Sequence, residues 1–144
     1  IIIEEDYPNK AKKIEELLSF HLNELKKTFP KQVLEIKGKG ALFGIILHND
    51  LSLIEKLLKN IPIKFIKDKK SLIIKLPYIA LIDYLYSKFK ILTHITPNYE
   101  IFLITPSLVA NEKEIKYFFD SLNQCFKKGM KKIIFEFIIK YLKN

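Results

Sequence analysis

Apolar residues along the chain fall into two spacings, and each spacing predicts an element. Ile14, Leu17, Leu18, His21, Leu25 and Phe29 recur at helical intervals behind Asp6 and Pro8. One face of an amphipathic helix is therefore apolar, and Pro30 ends it. Val33 to Ile36 then reads as a strand, Gly38-Lys39-Gly40 as a tight connection, and Ala41 to Leu47 as a buried partner strand. Gly44 inside that strand predicts a bulge or a close backbone approach. Asp50 or Ser52 opens a helix carrying Leu53, Ile54, Leu57 and Leu58, with Ser52 and Glu55 at capping-box spacing. Two short strands are expected next, Ile63–Ile66 and Leu72–Leu76, turning through Lys67 to Lys70. Pro77 reads as a break, after which Ile79, Ile82, Leu85, Tyr86 and Phe89 mark a helix. Strands Ile91–Ile95 and Ile101–Thr105 follow, joined through Pro97-Asn98. Asn111 and Glu114 then open a helix with Ile115, Phe118, Phe119, Leu122 and Phe126 on one side. Gly129 interrupts it, and Ile134, Phe137, Ile138, Tyr141 and Leu142 form a last helical stripe.

These elements predict an α+β fold, a small and mainly antiparallel sheet with helices packed on one face. The middle holds an internal echo: Leu53–Leu58 is similar to Leu81–Tyr86, and Leu72–Pro77 to Ile101–Pro106. Two copies are too few for a solenoid, and the restricted Ile/Lys/Leu vocabulary yields such likeness by chance.

Composition changes the picture in one respect. The net charge is +9, and all 25 basic residues are lysine. A chain without arginine has no planar fork for a carboxylate or phosphate. The lysines alternate with Glu and Asp, so most of the charge reads as solvated surface. Lysines and aromatics share no recognisable strand face, which ranks a lysine-rich nucleic-acid-binding domain last among the readings. No apolar run is long enough to span a bilayer. One cysteine, Cys125, leaves no internal disulfide and fits a reducing compartment, so a cytoplasmic location is expected. Ile1-Ile2-Ile3 running into Glu4 and Glu5 is no signal peptide and reads as a chain cut in mid-structure.

Two segments, in order, carry a resemblance. Val33-Leu34-Glu35-Ile36-Lys37-Gly38-Lys39-Gly40-Ala41-Leu42-Phe43-Gly44-Ile45 resembles a hairpin of the form V-x-x-V-R-G-x-G-L-M-x-G-I-E. Ile101 to Ile115, with Pro106, resembles a closing strand, turn and helix of the form I-R-x-x-P-P-L-x-I-T-x-E-E-I. Ile1–Glu5 before a helix is similar to V-I-x-E-E. These are features of the C-terminal, small domain of class III, fold-type I, pyridoxal-phosphate-dependent aminotransferases. The resemblance covers about residues 1–47 and 91–126. It implies a domain over 1–126, with about 48–80 an inserted helix–strand–strand unit, and a C-terminal helical extension over 127–144.

The resemblance also implies what is missing. The family's Schiff-base lysine lies in a large domain upstream, so pyridoxal 5'-phosphate belongs to the parent protein and not to this chain alone. The large domain of the same polypeptide is the implied partner, and a homodimer the implied assembly. Family members place an arginine three residues before the first proline of the closing strand, where it clamps a substrate carboxylate. That position is Leu103 here, the one candidate substrate-mouth residue; the hairpin arginine is Lys37. No catalytic, cofactor-binding or metal-binding residue is assigned. His21, His48, His94 and Cys125 share no ligand spacing. Ser52 and Ser107 lack a base partner, Gly38-Lys39-Gly40 is not a phosphate loop, and Cys125 lacks an activating setting. Lys127, Lys128, Lys131 and Lys132 flank Gly129 and read first as a solvated face. Two readings stand: a small domain closing over an aminotransferase substrate mouth, or a degenerate module that binds a partner.

Overall fold

The structure, a computed structural model, describes residues 6–48, 50–58, 69–96 and 100–142. The expected strand Ile63–Ile66, the links at Lys67-Asp68 and Pro97-Asn98, and the Ile1–Glu5 lead-in lie outside them.

Helix α1, Tyr7–Thr28, buries Ile14, Leu18, Leu22 and Leu25. Their spacing of three to four residues keeps them on one side. Phe29 closes it with a main-chain bond to Leu25 (2.9 Å) and packs its ring edge-on against Phe126 at 5.5 Å. Strands β1, Val33–Lys39, and β2, Leu42–Leu47, form the expected hairpin. Gly40 turns it at φ 63°, a left-handed conformation that a side chain resists.

The sheet is four-stranded, entirely antiparallel, in the order β1-β2-β4-β3. Strand β4 is Phe102–Ile104 and β3 is His94–Ile95, both shorter than their apolar runs suggested. Phe43, Ile45, Leu47, Phe102 and Ile104 are buried on the helix side. Gly44 belongs to the opposite face, and Ile101 lies across it: a methyl group there would collide with Ile101 Cγ2. The close approach expected at this glycine is therefore present, made by the side chain of Ile101, just before β4.

The segment around Pro77 departs from expectation. Leu72–Leu76 is not a strand, and no helix begins afresh after Pro77. One helix, α3, runs from Lys69 to Phe89 with Pro77 inside it. The cause is tertiary. Leu76, Tyr78, Ala80, Leu81 and Leu85 are all buried. That burial outweighs the roughly 3 kcal/mol that an interior proline costs. Tyr78 also ties α3 to the sheet, its hydroxyl accepting the Leu47 N–H at 3.1 Å. The echo between Leu72–Pro77 and Ile101–Pro106 thus pairs a helix with a strand and is not a structural repeat.

Helix α2, Leu51–Leu58, buries Ile54 and Leu58. Ser52 lies in its first turn and donates to Asp50 Oδ1 (2.9 Å), so it does not serve as the cap of a Ser52–Glu55 box. Helix α4, Glu112–Lys128, has the expected box: Asn111 Oδ1 accepts from Glu114 N (3.0 Å) and Glu114 Oε2 from Asn111 N (2.9 Å). Helix α5, Met130–Leu142, packs against α3 and buries Ile133, Ile134 and Ile138 in the core, and Lys140 bridges back to Asp83 (3.1 Å). Among the described residues no helix is long and apolar enough to cross a membrane.

Candidate functional site

The strand register fixes where Leu103 points. Leu103 pairs with Gly44 on β2 and with His94 on β3, and Gly44 pairs with Lys37 on β1. Because side chains alternate across a sheet, His94, Leu103, Gly44 and Lys37 form one row on the face away from the helices. The neighbouring apolar residues of that face, Leu42, Ile46 and Ile101, keep part of their surface open to solvent. An antiparallel sheet can leave one face to water, but its polar residues usually fill that face. Here apolar side chains share it with Lys37, Lys39, Glu35 and His94, which makes it a surface suited to another protein layer.

A cavity of about 420 Å³ opens beside Leu103. Its origin is the early end of β3. The β3–β4 ladder stops at His94 and Leu103, and no main-chain bond among the described residues carries it on to Leu92 and Thr105. The two segments part, and the gap reaches down to Leu18, Ile115 and Phe118. Apolar residues dominate the lining; Thr93, His94, Thr105, Ser107 and Glu114 supply its polar groups. Glu114 is committed to the α4 cap. Ser107 Oγ accepts from Val109 N (3.3 Å). Thr93 Oγ1 is buried without a hydrogen-bond partner. His94 is exposed at the rim. The cavity can hold an apolar or neutral polar group, and no lysine or aspartate lines it among the described residues.

The remaining sequence candidates are dispersed. Lys37 pairs with Glu35 (3.3 Å) at the surface. His21 stacks on Phe119 with ring centroids 4.9 Å apart, and burial lowers its pKa, with Asp120 opposing. Cys125 is fully buried, and desolvation pushes its thiol up to about 12. A thiol held neutral in an apolar setting is packing, not a nucleophile. No group of three His, Cys, Asp or Glu side chains among the described residues could hold a metal ion. The sequence reading named Leu103 but missed its partnership with His94. The alternation Leu92-Thr93-His94-Ile95 against Phe102-Leu103 carried that signal, but the pairing register is not visible in either strand alone.

The sequence matches no protein-family model and no curated protein. The fold is better placed. The chain is similar to a transaminase from the marine bacterium Virgibacillus, with 18% identity and a TM-score of 0.64, covering 92% of this chain and 27% of that one. A Bacillus anthracis aminotransferase gives 20% identity and a TM-score of 0.53, covering 93% and 25%. An ornithine delta-aminotransferase from Plasmodium falciparum gives 18% identity and a TM-score of 0.53, covering 90% and 26%. The chain has the fold of an aminotransferase small domain. It spans about a quarter of the length of these aminotransferases. The α+β arrangement expected from the hairpin and the closing strand is the arrangement these neighbours share.

Proposed function

We propose that this chain is the C-terminal small domain of a class III, pyridoxal-phosphate-dependent aminotransferase-like protein, and that it closes over a substrate mouth completed by a large domain. The observation that carries the reading is the position of Leu103. It stands on the sheet face away from the described helices, beside an open cavity, in a fold shared with part of an aminotransferase.

The cavity beside Leu103 does not make a cofactor site by itself. Pyridoxal phosphate needs a lysine for its aldehyde, an acid for its pyridine nitrogen and a cradle for its phosphate. The cavity by Leu103 offers no lysine, and its one acid, Glu114, is held as a helix cap. No step through the cofactor is assigned to these residues. Their part is to shape the mouth and exclude water from it. The part-apolar face bearing Leu42, Ile46 and Ile101 is then the side on which the large domain packs. Cytoplasmic location and a homodimer of the parent belong to the same proposal.

The test is the reading frame upstream of Ile1. An encoded large domain with an intact cofactor-binding lysine is expected. An eroded one, without that lysine, would leave the same fold serving only to bind a partner, the second reading, which Leu103 in place of the family's arginine favours.

A further inference from the structure

A second concavity, of about 780 Å³, lies at the other end of the hairpin, beyond Leu47. The strand rise separates it by about 10 Å from the Gly44–Leu103 row. Its walls come from five places in the chain: the turn after α1, the end of β2, the start of α2, Pro77 of α3 and the α4–α5 junction. Leu47, Ile54 and Ile134 are buried residues that reach its floor.

The rim is basic. Lys31, His48, Lys128, Lys131 and Lys132 line the recess, against one acid, Asp50. The lysine run around Gly129 therefore does not simply face solvent along a helix. Folding brings part of it opposite Lys31 and His48, which are far away in sequence. These groups differ in how far they are already engaged. Lys128 donates to Glu136 (2.7 Å) and to the Tyr84 hydroxyl (3.1 Å), so it is a fixed charge. Lys131 stands 3.9 Å from Asp50, a loose pair at the surface. Lys31 and Lys132 make no ion pair among the described residues, and both are exposed.

We propose that this cleft binds a phosphate monoester with an apolar body, its phosphate held between Lys31, His48 and Lys132 and its body on the Leu47–Ile54–Ile134 floor. Lysines hold a phosphate as point charges and need no arginine fork. The concave shape favours a small ligand: a nucleic acid or a membrane would need its charges along one open stripe. Asp50 does not cancel the site, because it is shared between Ser52 and Lys131 and faces several cations.

The test is an NMR titration of the chain with inorganic phosphate, pyrophosphate and phenyl phosphate, ionic strength held constant with sodium chloride. Saturable amide shifts are expected at Gln32, His48 and Gly129–Lys132, with phenyl phosphate binding tighter than inorganic phosphate. Replacing both cations, Lys31→Gln with Lys132→Gln, is expected to weaken phenyl phosphate about tenfold or more. A charge-matched control, Lys12→Gln with Lys113→Gln, should stay within about twofold, since distant exposed charges are screened. Shifts that spread over the surface without saturating would overturn the proposal. So would equal weakening by the two lysine pairs, or phenyl phosphate binding no tighter than inorganic phosphate.

Discussion

Gly44 offers a substitution whose sign depends on one neighbour. Its backbone needs nothing that alanine cannot adopt, since it is not among the glycines with positive φ. On backbone entropy alone, Gly44→Ala should stabilise the strand by about 0.5–1 kcal/mol. The added methyl, however, would occupy the space of Ile101 Cγ2. Cγ2 sits on the β-carbon, so Ile101 must change rotamer or β4 must shift, and overpacking of this kind costs about 1–3 kcal/mol. The net expectation is a loss of about 1–2 kcal/mol. For a domain of this size that lowers Tm by several degrees. Ile101→Ala removes the obstructing methyl. In that background Gly44→Ala should be neutral or stabilising by up to about 1 kcal/mol, reversing its sign. The assay is urea unfolding followed by far-ultraviolet circular dichroism on the wild type, both single variants and the double variant, with m-values compared. Additive effects to within about 0.5 kcal/mol would refute the contact and the register that places it.

Tyr78→Phe leaves the buried Leu47 N–H without its 3.1 Å partner. A loss of about 1–3 kcal/mol is expected in the same unfolding assay, and an unchanged midpoint would contradict that bond. Cys125 should react with a thiol reagent only after unfolding, because it is buried and its thiol is raised to about 12. The sign follows from which state ionises first. With the folded value above the ordinary 9.0, the stabilisation is complete below about pH 9 and is lost as pH rises towards 12. Cys125→Ala should remove that alkaline slope. Leu103→Arg, in the full-length protein, should raise kcat/KM for dicarboxylate or α-carboxylate substrates relative to simple amines. A wild type that already prefers glutamate through this pocket would overturn the placement of Leu103.

Where chemistry is local, the fold was legible in the chain. The Asn111–Glu114 box, the first hairpin and the amphipathic α1 each depend on neighbours within a few residues and are present, although the buried Leu22 of α1 was missed and Gly38-Lys39 extend β1 so that the turn falls at Gly40. Leu72–Leu76 was misread because Leu-Ile-Ile favours a strand and Pro77 ordinarily stops a helix. What decides that segment is the burial of Leu76, Tyr78, Ala80, Leu81 and Leu85 in the core and the Tyr78 anchor on β2, which are long-range and invisible in the segment itself. The site was legible only in part. Leu103 could be named from the closing strand, but its row with His94, Gly44 and Lys37 exists only once the four strands pair. The basic cleft is harder still, since Lys31 and Lys132 are about a hundred residues apart and meet only through the α1 turn and the α4–α5 junction.

The central claim is that this chain completes a substrate mouth and leaves the cofactor linkage to a large domain. Its most direct test is borohydride reduction of the full-length protein with pyridoxal phosphate, followed by peptide mass mapping of the modified lysine. The account expects a single pyridoxyl-lysine upstream of Ile1 and none among the 25 lysines of this chain. A stoichiometric label on one of these lysines would contradict it.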